Sequence, residues 1–161
     1  MLTFQALAVT AVSIKGVHLY VEKARNFTLE DAMGGAACCI LNVPTAAGDI
    51  TTAPVVVVSE YLIKYFESDE MEFIVNHEVS HAICKHITAD MAGVEINLKK
   101  EFEADRMAVL KGRASAAAGI SALTKIYHRL KYKVTLNERI GLWMSLYARK
   151  RKLQRLVMKG F

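Results

Sequence analysis

Between Met71 and His86 the chain runs without a proline or glycine, and it carries two histidines four residues apart, His77 and His81, with Glu78 directly after the first. On a helix, at ~100° per residue, positions four apart share a face about one turn from each other. Phe73, Ile74, Ala82 and Ile83 are spaced for one buried face of the same helix. Ser68 and Asp69 are candidate caps. Acidic Glu70 and Glu72 fall in the first turn and Lys85 and His86 in the last, which suits the helix dipole. One element is thereby specified in place and orientation: a helix buried along one stripe and presenting two imidazoles together on another.

Two imidazoles that can reach one ion, with a carboxylate beside it, are the minimal set for activating water. Zinc lowers the pKa of a water it binds toward ~7, and the carboxylate of Glu78 is placed to take the proton as that water attacks a carbonyl. A catalytic zinc needs a third protein ligand and one open position. The metzincin pattern would put a further His six residues after His81, but Ile87 stands there and the intervening Gly is absent. A helix-forming run downstream, Lys99 to Leu110, offers Glu101 and Glu103 instead. Asp105 lies four after Glu101 and shares its face, whereas Glu103 is turned about 200° away. Metal-bound histidines usually donate their second ring N–H to a carboxylate or carbonyl. Glu101 as ligand and Asp105 as orienting carboxylate therefore come from one face, and Glu103 is expected to point to solvent or to a neighbouring basic residue.

Leu62 through Glu70, His77-Glu78-x-x-His81 with a further His86, and Glu101-x-x-Ala104-Asp105-Arg106 together resemble the gluzincin peptidases of the HtpX and CAAX-prenyl-protease type, over about residues 35 to 110. The resemblance implies zinc at His77, His81 and Glu101, catalysis through Glu78, and support from Asp105. It also implies an α+β fold: a mainly helical zincin-like core with a small sheet of about three strands, a zinc-binding helix and a following glutamate helix. An edge strand of that sheet would take the substrate backbone in extended form. Two positions depart from the pattern. Ser80 replaces the usual Gly between the histidines, and Lys133-Val134 stand where a His-Pro pair would precede the segment Asn137-Glu138-Arg139-Ile140. The chain is close to the bare catalytic core, as in the short soluble minigluzincins, in some of which a terminal segment blocks the cleft.

The rest of the chain fits a single domain over residues 1–161, long enough to bury a core without staples. Cys38, Cys39 and Cys84 form an odd set with two adjacent members, which favours a reducing, cytoplasmic setting. Cys84 reads as a small buried residue. The apolar start, Met1 to Ile14, lacks a basic leader and is interrupted by Lys15 and His18, so a signal peptide or membrane span is not expected, leaving only weak membrane association. Leu7, Ala11, Ile14, His18 and Val21 recur at helical spacing, predicting a first helix. Ala36–Val43 and Ala53–Ser59 are β-prone, with a turn-rich connection at Pro44–Asp49. Gly112–Gly119 is rich in small residues and suits a tight turn or a close helix contact. Ile120–Lys131 and Leu136–Met158 read as helices, the last with an apolar stripe at Ile140, Trp143, Met144, Tyr147, Leu153, Leu156 and Val157.

The net charge of +5 is concentrated in that last helix, about residues 138–159, where Arg149, Lys150, Arg151, Lys152, Arg155 and Lys159 form a block that reads as a solvated face. Stacking aromatics are not interleaved with it, which speaks against nucleic acid. Taken together, the sequence predicts a soluble zinc endopeptidase acting on protein or peptide, with oligomeric state unassigned. The alternative is a zinc-stabilised binding or assembly module with latent or lost proteolysis, engaging a partner through its basic C-terminal helix.

Overall fold

The computed structural model describes residues 65–86, 97–132 and 134–161 in full. Before them it describes the backbone of six strands. These are β1 (Thr10–Ile14), β2 (Val17–Ala24), β3 (Ala37–Ile40), β4 (Val43–Pro44), β5 (Ile50–Thr51) and β6 (Val55–Ser59). They are followed by α1 (Ser68–Ile83), α2 (Leu98–Leu110), α3 (Ala116–Leu130) and α4 (Leu136–Val157).

The expected α+β arrangement with about three strands is corrected on two counts. Every regular element among the fully described residues is a helix, four in all, with no strand between them. The strands precede this part and form a four-stranded sheet in the order β1-β2-β6-β3, with a separate two-stranded ladder of β4 and β5. The predicted first helix is the cause of the miscount. β1 and β2 pair antiparallel, with Ile14 opposite Val17, and β2 runs parallel to β6. Thr10, Val12, Ile14, Val17 and Val21 supply the β-branched residues that favour strands, and helical spacing over so few apolar positions did not outweigh them. The runs at 36–43 and 53–59 coincide with β3 and β6, which pair antiparallel with Cys38 opposite Val57. Residues 45–49 of the predicted turn and Lys133 lie outside the described residues.

Helix α1 lies against β3 and β6 on one side and against α2 and α3 on the other. Its core face is Phe73, Ile74 and Val79, each at most 5 % exposed, joined by Leu123 from α3 and Leu146 and Leu153 from α4. Two glycines allow the close approach. A Cβ on Gly119 would meet the Phe73 ring at 2.5 Å, and one on Gly112 would meet Asn76 at 2.8 Å. The small-residue stretch therefore serves both as the turn after α2 and as the contact surface of α3 on α1. Buried Glu70 pins the same pair of helices by accepting from Lys125 Nζ at 2.6 Å and Ser121 Oγ at 2.5 Å, and it also accepts from the Glu67 backbone N–H at 2.8 Å.

The remaining helix starts are capped locally. Asn97 Oδ1 accepts from the Lys99 N–H of α2, Ser115 Oγ from Ala118 N–H of α3, and Thr135 and Glu138 cap α4 reciprocally. Glu138, matched above to a family segment, thus closes a capping box.

Candidate metal centre

Helix α1 ends in a way that shapes the site. Lys85 adopts φ 54°, and the Lys85 and His86 amides bond to the carbonyls of Ala82 and His81 at 3.1 and 2.9 Å. This is a Schellman closure with lysine at the left-handed position where glycine is usual. It turns the chain back on itself, so that buried His86 lies against His81, with their Nδ1 atoms 3.1 Å apart.

One turn earlier, the two motif histidines and the first carboxylate of α2 converge. His77 Nε2 and His81 Nε2 are 3.0 Å apart, Glu101 Oε2 is 3.3 Å from His77 Nε2, and Glu101 Oε1 is 3.2 Å from His81 Nε2. A tetrahedral ion held at about 2.0–2.1 Å by nitrogen and oxygen donors needs those donors about 3.3 Å apart. The three atoms fit that requirement, and the donor set of two imidazoles and one carboxylate suits zinc. Ser80, at the position of the usual Gly, is buried and turns its hydroxyl back to donate to the Asn76 carbonyl at 2.6 Å, so it brings no unsatisfied polar group against α2.

Behind the donors, His77 Nδ1 lies 2.9 Å from Asp105 Oδ1. Asp105 is 2 % exposed, and Ala104 and Ala108 beside it are fully buried, leaving α2 room to approach α1 closely. Glu103 is turned to the other side and largely exposed, with Oε2 at 3.3 Å from His86 Nε2. Cys84 is half-buried rather than buried.

Arg149 of α4 is the residue whose place the sequence reading misassigned. It does not belong to a solvated basic face. Its side chain is 11 % exposed and donates through Nε and Nη2 to Asp105 at 2.8 and 2.7 Å and through Nη1 to Glu101 Oε2 at 2.7 Å. The signal was present in the spacing. Leu142, Leu146, Leu153 and Leu156 mark the inward stripe of α4, and Arg149 falls on it. Of the stripe read from sequence, Leu153 and Leu156 lie on this inward side, whereas Ile140, Trp143, Met144, Tyr147 and Val157 are exposed. Arg151, Lys152, Arg155 and Lys159 are exposed as expected.

The electrostatics follow from this packing. Burial and the Arg149 charge push His77 down, but its bonds to Asp105 and Glu101 together outweigh them and raise its pKa to about 9. Burial would raise Glu101, yet the bonds to His77 and His81 and the guanidinium hold it far below the usual carboxylate range. Asp105, which burial alone would also raise, is brought to about 2 by Arg149 and His77. Glu78 is half-buried and within the electrostatic reach of Arg149. The centre therefore sets two carboxylates, Glu101 and Asp105, against the charges of Arg149 and protonated His77.

The chain belongs to Peptidase family M48, whose sequence profile matches residues 46–137, more than half of its length. No curated protein and no solved structure matches it. Membership supports metallopeptidase chemistry with zinc, and the matched span contains both histidines, Glu78, Glu101 and Asp105 but stops short of Arg149. Among the described residues, no helix is long and apolar enough to cross a membrane.

Proposed function

We propose that this protein is a zinc endopeptidase in which His77, His81 and Glu101 hold the ion, Glu78 is the general base and Asp105 orients His77. The reading rests above all on three donor atoms from two helices lying 3.0–3.3 Å from one another. Bound zinc would supply Lewis acidity, lowering the pKa of water toward ~7 and polarising the scissile carbonyl. Asp105 would accept the Nδ1 proton of His77, leaving Nε2 as the ligating atom. Arg149 would hold Asp105 and Glu101 ionised and in place. As the water oxygen bonds to the carbonyl carbon, Glu78 would take its proton; on cleavage of the C–N bond the same carboxyl would return that proton to the leaving amine. Strand β3 pairs only with β6 among the described strands and lies against α1, which favours its outer edge for an extended substrate.

The test is cleavage of an unstructured protein such as casein by metal-quantified wild type and Glu78→Gln. Near one zinc per chain, with cleavage abolished in the variant, is the expected result. Zinc bound with both proteins inert would instead favour the binding-module reading, to which the exposed apolar residues of α4 lend some support.

A further inference from the structure

The two motif histidines are backed by different chemistry. His77 turns Nδ1 to the Asp105 carboxylate at 2.9 Å, whereas His81 Nδ1 meets a second imidazole, that of His86, at 3.1 Å. His86 in turn presents Nε2 to Glu103 Oε2 at 3.3 Å. We infer that His86 is the positioning residue of His81, and that the chain of contacts from His81 through His86 to Glu103 fixes the tautomer of both rings when the ion is bound. This rests on the zinc reading above and deepens it.

The direction of each hydrogen bond follows from the number of ring protons. A neutral imidazole carries one N–H. His81 faces His77 and Glu101 with Nε2, so a ligand bond there puts its proton on Nδ1, which donates to His86. His86 Nδ1 then accepts, and its own proton stands on Nε2, directed at the Glu103 carboxylate. His86 is well held for this. It is 7 % exposed, its ring stands edge-on to His81 with centroids 5.1 Å apart, and its carbonyl accepts from Lys100 Nζ at 3.3 Å. The left-handed turn at Lys85 folds it back over the end of α1. Glu103, expected from sequence to face solvent or a basic residue, gains a partner in this way. A carboxylate raises the basicity of the histidine it holds more than a neutral imidazole does, so His81 is the less basic ligand of the two. A plainer role, in which His86 only fills space at the helix end, would need no acceptor at Nδ1.

The test compares zinc affinity, by competition with a chelator, in the full wild-type chain, His86→Leu and His86→Asn. Leucine fills the space without an acceptor, while in asparagine an amide oxygen stands where Nδ1 stood. His86→Leu should bind zinc about 10- to 100-fold more weakly, and His86→Asn should recover most of that loss. Space filling predicts the reverse order, because the polar amide is the costlier group to bury. Histidine nitrogen–proton correlation spectra of the zinc-loaded wild type give a readout that needs no variant: His81 should carry its proton on Nδ1 and His86 on Nε2. The His86 ring proton should exchange with water faster in Glu103→Ala. Equal affinities in His86→Leu and His86→Asn, tighter binding in His86→Leu, a His86 proton on Nδ1, or exchange unchanged in Glu103→Ala would overturn the proposal and leave the zinc reading standing. A wild type that binds no zinc would overturn both.

Discussion

Replacing Arg149 with methionine removes the guanidinium that, among the described residues, contacts two carboxylates of the centre, while keeping an unbranched side chain. Asp105, 2 % exposed, would lose two charge-assisted bonds at 2.7 and 2.8 Å and keep its contact with His77; Glu101 would lose one at 2.7 Å. Breaking a buried pair by deleting one partner costs about 3–5 kcal/mol, because the remaining charge stays desolvated, whereas an exposed pair is worth about 0.2–1 kcal/mol. Glu101 keeps some access to water, so the lower end applies, about 3 kcal/mol. The assay is urea unfolding of metal-free protein in chelator at pH 7. With slopes of about 1–3 kcal/mol per molar for small proteins, the midpoint should fall by roughly 1–3 M at unchanged slope. Arg149→Lys should recover part of the loss, since lysine restores the charge but not the planar fork. Arg151→Met is the control: that residue is exposed and meets Tyr147 through its hydroxyl and ring, so its effect should stay within about 0.5 kcal/mol. If the two arginines proved equivalent, the assignment of Arg149 to the buried centre would be wrong.

Asp105→Asn should weaken zinc binding by about 10- to 100-fold in competition with a chelator, since the carboxylate that fixes the His77 tautomer becomes a neutral amide; unchanged affinity would remove it from the centre. With His77 raised to about 9 in the metal-free protein, zinc must displace a proton at pH 7, so apparent affinity should climb by up to about tenfold per pH unit until near pH 9. Calorimetry in two buffers of different ionisation enthalpy would reveal that proton, and buffer-independent heats would contradict it. The stabilisation that the raised His77 gives the metal-free fold should be complete below about pH 6.5 and lost as pH rises through about 9, while that from depressed Asp105 should hold above about pH 3.8 and fade as pH falls through about 2. Gly119→Ala should destabilise by about 1–3 kcal/mol, because the added methyl overlaps the Phe73 ring; a neutral result would mean that α3 can slide off α1 without loss.

The candidate centre was legible where its chemistry is local. Two histidines on one helical face and a carboxylate pair four apart on the next are properties of the 3.6-residue period, and they survive any arrangement of the surrounding elements. What escaped were contacts set by which side of an element faces inward. In α4, Trp143, Tyr147 and Met144 outweigh the leucines in apolar mass, so outer residues were read into one stripe with inward Leu153 and Leu156, and Arg149 was counted among solvated charges. At residues 10–24, a handful of apolar positions satisfies both a helical and an alternating pattern, and the strand partner β6 that decides the matter lies more than thirty residues away. His86 was visible only as one more histidine. Its position depends on the left-handed turn at Lys85, which no glycine announces.

The stretch recognisable as M48 ends at residue 137, near the start of the helix that delivers Arg149. A polypeptide trimmed to the recognisable span would keep every candidate ligand yet lose Arg149 and the helix that packs against α2 behind them, so a loss of metal binding there would not indict the motif itself. The working unit for expression, grafting or fusion therefore extends through Leu156, whose packing helps seat the inward side of α4.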